Sequence, residues 1–141
     1  MLRKFAILAV SVSALAGLSF AADDDDTPFQ KSMTQVNKAN GALRKATRNE
    51  AEFKKAGDSI GKNAEIIAKV GKESRELKDF AEKEKKPLAE WTKLMDEMTK
   101  AAEDVSKAAA KPKATAEEAK TAFTALNKTC ANCHNVFKKD E

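Results

Sequence analysis

From residue 28 onward, large apolar side chains recur every three or four positions, the period of a helix with one buried face. Phe29, Met33, Val36, Asn40 and Leu43 share one stripe of a first helix, A, that runs from Pro28 to about Arg48. Its start is marked by Thr27-Pro28-Phe29-Gln30, a capping box: Thr27 accepts from a free backbone N–H, Pro28 has none to satisfy, and Gln30 reaches back. A second pattern predicts helix B over Glu50 to Val70, with Phe53, Ala56, Ile60, Ala64 and Ile67 inward. Gly57 and Gly61 fall inside it and lower its helical propensity. Between Gly71 and Lys86 the charge density rises and Leu77 and Phe80 are the only large apolar residues, which predicts a long connection with a helical turn or two. Helix C begins near Pro87 and carries Leu88, Trp91, Met95, Met98, Ala102 and Val105, until Lys111-Pro112-Lys113 ends it. A second capping box, Thr115-Ala116-Glu117-Glu118, opens helix D. Along D, Ala119, Phe123, Leu126, Cys130, Cys133 and Phe137 form the stripe that the pattern buries, so both cysteines are expected on the inner face.

Four amphipathic helices with mostly short connections predict an all-α, up-down-up-down four-helix bundle, a fold whose core is a usual place for a cofactor. Composition agrees: no tyrosine, five glycines and three prolines in 141 residues leave little for a sheet. That length fits one domain.

The first 22 residues stand apart from the periodic part. MLRKF, the apolar run AILAVSVSALAGL and the small-residue exit LSFAA are the three parts of a secretory signal peptide, with cleavage after Ala21 or Ala22. The run is short for a bilayer span and is followed at once by Asp23 to Asp26, so residues 23–141 are expected to be exported without membrane attachment. It contains no cysteine, which excludes a lipid anchor at the cleavage point. Loss of Arg3 and Lys4 leaves 24 basic against 22 acidic residues, a balance too mixed to point to nucleic acid. The four aspartates read as a solvated tail.

Both cysteines and the only histidine lie within Cys130-Ala131-Asn132-Cys133-His134. On a helix, positions i, i+3 and i+4 project to one side, so all three side chains address the same object. C-x-x-C-H is the attachment signature of haem c: Cys130 and Cys133 as thioethers to the porphyrin edge, His134 as proximal iron ligand. Three readings compete. A thioredoxin-like dithiol expects a strand before the motif. Zinc wants four ligands, and no other cysteine or histidine is available. A disulfide between i and i+3 of a regular helix has poor geometry and closes a trivial loop.

TCANCHNVF near the C-terminus, EWTKLMDEM around Trp91 and FQKSMTQVNKANGALRKA in helix A resemble the class II cytochromes c, which include cytochrome c prime and its low-spin relatives. The resemblance covers essentially all of residues 23–141 and implies an exported four-helix bundle with one covalently attached haem c near one end. Met33 matches the distal position, which holds methionine in low-spin, electron-carrying members and an apolar residue in high-spin, five-coordinate members. Two readings of Met33 stay open: distal iron ligand, or core filler between Phe29 and Val36. In an up-down-up-down bundle Met33, Ile67, Trp91 and His134 all fall near one end, which would let a haem held by helix D turn its other face to Met33. There is no second histidine; Met95 and Met98 are poorer sixth-site candidates, and a lysine ligand would have to be neutral and desolvated. By the same resemblance Trp91, Phe29 and Phe137 are pocket walls, joined by Val36, Ile67, Val70 and Leu88. A core role would bury them equally.

Two positions depart from the family pattern. Lys138 stands where an arginine is common, and Phe29 where a basic residue is common, so contacts from these positions to the haem propionates or the proximal ligand are not carried over, though Lys31 is near enough in sequence to replace one. Lys128, Lys138 and Lys139 are candidates for docking a redox protein partner. A homodimer through the first two helices is compatible with the family. With no phosphate loop and no nucleophile paired to a base, nothing reads as a substrate site. The expectation is a periplasmic monohaem cytochrome that carries single electrons and is not an enzyme. The alternative is a five-coordinate haem protein that binds nitric oxide or carbon monoxide.

Overall fold

The computed structural model describes residues 27–77, 81–82 and 85–137. The segment predicted to be a signal peptide, the aspartate run, Phe80, Lys138 and Lys139 lie outside these. Among the described residues there are five helices and no strand: α1 (Pro28–Ala46), α2 (Glu50–Ala56), α3 (Ser59–Ser74), α4 (Leu88–Ala109) and α5 (Ala116–Phe137). None of them is long and apolar enough to cross a membrane.

Both predicted capping boxes form. Thr27 Oγ1 accepts from Gln30 N at 3.3 Å while Thr27 N donates to Gln30 Oε1 at 2.7 Å, which satisfies two of the donors that a helix start leaves open. Thr115 and Glu118 repeat the exchange at the start of α5, and Ala116 N adds a longer-range bond to Glu50 Oε2 of α2 at 3.1 Å.

The segment read as one helix B is two. Gly57 takes φ +48°, where a residue without Cβ sits at little cost, and its N–H closes on Phe53 O at 3.1 Å, so α2 stops there and α3 starts afresh at Ser59. Conversely, α3 does not end at Val70. Gly71 stays helical and buried, because the missing side chain lets α3 approach α4 at Met95, Met98 and Thr99. The connection is correspondingly shorter than expected. Within it Ala81 and Glu82 are helical, and the turn closes with Lys86 N on Ala81 O and Lys85 N on Glu82 O, both at 3.0 Å, with Lys85 left-handed at φ 53°.

Helix α3 runs antiparallel to α4: Gly61 faces Ser106, Gly71 faces Met98 and Thr99, and Ser74 meets Trp91. The most extensive packing is of α3 on α4, then α4 on α5 and α1 on α3, whereas α1 and α5 meet only sparsely. Leu43, Ile60, Ile67, Trp91, Met95 and Leu126 are fully buried at the centre. Leu88 departs from its predicted place on the inner stripe and is exposed. Helical side chains lean toward the N-terminus, so at the first position of α4 Leu88 reaches past the helix start instead of onto a neighbour.

Candidate functional site

Helix α5 carries the motif into the end of the molecule where the other helices also begin or finish. Trp91, in the first turn of α4, is completely buried and donates from Nε1 to Ser74 O at the end of α3, 2.9 Å away. Phe29 of α1 packs edge-on against it at 5.1 Å between ring centres, and Phe137 of α5 does the same at 5.2 Å. The start of α1, the end of α3, the start of α4 and the end of α5 thus converge. Trp91, Phe29 and Phe137 are brought together as one aromatic cluster. Val36, Ile67 and Val70 are buried in the core that continues it, and Leu88 is not part of it.

The stripe on α5 is less uniformly inward than its spacing predicts. Ala119, Phe123, Leu126 and Phe137 are buried, but Cys130 and Cys133 between them are half-buried and His134 is exposed. The cysteines follow Asn127, whose Oδ1 accepts from Asn40 Nδ2 of α1 at 2.9 Å across the sparsely packed seam between α1 and α5. A loosely packed neighbour leaves those positions partly open. Cys133 still packs against the core, as does the half-buried Met33 on α1. Met95 and Met98 are buried core residues.

The two sulfurs are not bridged. Burial pushes the Cys130 thiol above its ordinary value, against a weaker opposing pull from local hydrogen bonds. Burial, and secondarily the neighbouring Cys130, push Cys133 up to about 11. Both are therefore neutral thiols at pH 7, the opposite of the low-pKa thiolate that a dithiol exchange catalyst needs. Among the described residues no group of three or more histidine, cysteine or carboxylate side chains is placed to hold a metal ion. Zinc gains no fourth ligand from this arrangement.

The motif is a donor set of two neutral sulfurs and one imidazole on one side of a helix, at the end of the molecule where three aromatic rings cluster. The donor set fits a covalently held haem, the sulfurs suiting the porphyrin edge and the imidazole the iron, while Trp91 and Phe137 are buried against each other and leave only Phe29 of the three rings partly open. Two surface grooves lie elsewhere. One of about 690 Å³ runs over the outer face of α4 from Leu88 to Lys100, and one of about 440 Å³ lies beside the break at Gly57, with Phe53, Gly61 and Ser106. Neither is lined by a motif residue.

No family model matches the chain, and neither a curated protein nor a solved structure matches it.

Two residues of this region were not singled out by the sequence pattern. Ser74 lay in the expected connection, yet it is buried, its carbonyl anchors Trp91, and its hydroxyl has no hydrogen-bond partner. Asn127 adjoins the apolar stripe of α5. The signal that could have found it is the polar Asn40 inside the stripe of α1, because a buried amide requires a partner.

Proposed function

We propose that this protein is a monohaem c-type cytochrome of the class II kind, exported to the periplasm, that carries single electrons between redox protein partners and is not an enzyme. The observation that carries the reading is Cys130-x-x-Cys133-His134 within the last helix, both thiols neutral and half-buried, at the end where Trp91, Phe29 and Phe137 meet. In this reading α2 and α3 act as one arm, and with α1, α4 and α5 they make an up-down-up-down four-helix bundle.

Bound haem would supply a one-electron iron couple. Cys130 and Cys133 would tether it as thioethers, so that a small protein retains a large flat cofactor. His134, exposed and next to Cys133, is free to turn its imidazole to the iron as proximal ligand. Trp91, with its N–H already held by Ser74, Phe29 and Phe137 would exclude water from the porphyrin faces. Met33 is the proposed distal ligand; its thioether would favour the reduced form and keep the iron low-spin.

The rival reading is an open, five-coordinate iron that binds nitric oxide or carbon monoxide. It is favoured by one observation, that Met33 already packs on the core as a filler would. The visible spectrum of the reduced, haem-loaded protein with and without carbon monoxide separates the two. Sharp bands unmoved by the gas, and their conversion to a gas-sensitive spectrum in Met33→Leu, are the expected result. A broad spectrum that shifts in the wild type would overturn electron carriage in favour of gas binding. A colourless product from cells with haem-attachment machinery would overturn both.

A further inference from the structure

The seam between α1 and α5 is only sparsely packed, yet a side-chain hydrogen bond crosses it: Asn40 Nδ2 donates to Asn127 Oδ1 at 2.9 Å. Asn127 is itself oriented by donating from Nδ2 to Phe123 O at 3.1 Å, one turn back on α5. The pair is partly buried, and Asn40 occupies a position of the α1 stripe otherwise filled by Phe29, Met33, Val36 and Leu43. An amide in an apolar stripe is costly wherever its partner is absent, so it selects one sliding position of the two helices over the others. A single buried asparagine fixes the register of coiled coils in this way.

The register it selects has a particular content. Phe29 and Phe137 both touch Trp91, so α1 and α5 run antiparallel, with the start of one beside the end of the other. Met33 lies seven positions before Asn40, and His134 seven positions after Asn127. Seven helical residues advance about 10.5 Å and turn about 20° short of two full turns. Starting from the bonded pair, Met33 and His134 are therefore carried the same distance toward the same end, each on nearly the face of its helix that the asparagine occupies. A slip of one residue would move Met33 by about 1.5 Å along the axis and about 100° around it.

We infer that Asn40 and Asn127 are positioning residues that set the register of α1 on α5 and thereby hold Met33 opposite His134 as the sixth ligand. This rests on the haem reading above. The pair acts through the helices that carry the motif and Met33.

The test compares the haem-loaded wild type with Asn40→Leu/Asn127→Leu, which removes both polar groups together and so leaves none unpaired. The readouts are carbon monoxide affinity, reduction potential, covalent haem content and the urea midpoint of the haem-free protein. The expected result is haem content and helicity like the wild type, a lower potential, and a carbon monoxide affinity raised about fivefold, the factor that one net hydrogen bond is worth. Asn127→Asp keeps an acceptor for Asn40 Nδ2 but loses the donor to Phe123 O, so its gas affinity is expected to lie between those of the wild type and the double variant. If the double variant fails to load haem, Asn40→Ala carries the same expectation. A wild type closed to carbon monoxide, with variants equally closed and unchanged in potential, would overturn the positioning role alone, whatever their urea midpoints. A wild type that is itself open would overturn Met33 ligation and this inference with it.

Discussion

Gly71→Ala offers the sharpest test of how the helices are held at the site end, because two effects of known size oppose each other there. In an exposed helix interior the change would stabilise by about 1 kcal/mol, since alanine is the better helix former. Gly71 is not exposed. A Cβ at this position would collide with Thr99 Oγ1 and lie 3.2 Å from Met98 Cε and 3.3 Å from Met95 O. The methionine end can swing away. The Met95 carbonyl is backbone of α4 and cannot, and Thr99 Oγ1 is held by donating to that same carbonyl at 2.8 Å. Overpacking of this kind costs about 1–3 kcal/mol, and breaking the threonine bond adds roughly 1 kcal/mol. Set against the gain in propensity, the expected outcome is a net loss of about 1–3 kcal/mol. Urea unfolding followed by the fluorescence of Trp91, the sole tryptophan and fully buried, measures it directly. Gly61→Ala is the internal control: its Cβ would meet only Ser106 Oγ at an ordinary 3.5 Å, so it is expected to stabilise by up to about 1 kcal/mol. Stabilisation by Gly71→Ala, or equal effects at both glycines, would refute the close approach of α3 and α4. Gly71→Ala/Thr99→Ala should recover most of the loss relative to Thr99→Ala alone, because the colliding hydroxyl is gone.

Two further outcomes follow from local geometry. Lys85, exposed and left-handed, closes the turn before Pro87, so Lys85→Gly should raise stability by up to about 1 kcal/mol, and a lower urea midpoint would show that this conformation is not the native one. Because the folded chain holds the Cys133 proton up to about 11, above the value of an exposed thiol, the folded state binds more protons than the unfolded one between those two values. The stability contributed by burying neutral thiols is therefore complete below about pH 9 and should fall as the pH rises toward 11 in the haem-free protein. Ultraviolet absorbance of the thiolate, read beside a urea midpoint at each pH, checks this; thiolate appearing near pH 7 would contradict it.

The caps and periods of α1, α4 and α5 were legible because their signals are local. A capping box is complete within four residues, and a stripe repeats within one turn. The helix B segment was read wrongly in two places for one reason, that a glycine is ambiguous in isolation. Gly57 uses its freedom to take a positive φ and ends α2, whereas Gly71 uses its missing side chain to admit α4 and continues α3. Nothing within a few residues of either distinguishes the two uses; the neighbour across the interface does. Leu88 was misread for a related reason, since a stripe position at a helix start has a face but no assured partner.

At the candidate site the same division holds. The order Cys130-x-x-Cys133-His134, its place in a helix and the projection of its donors to one side follow from the sequence alone, because covalent spacing and the helical period are enough to set them. That Trp91 meets Phe29, Phe137 and the carbonyl of Ser74, that burial raises the thiols above their ordinary values, and that Asn40 finds Asn127 were decided only by tertiary packing. Desolvation and long-range hydrogen bonds depend on what a distant segment brings alongside, and no local pattern carries that information.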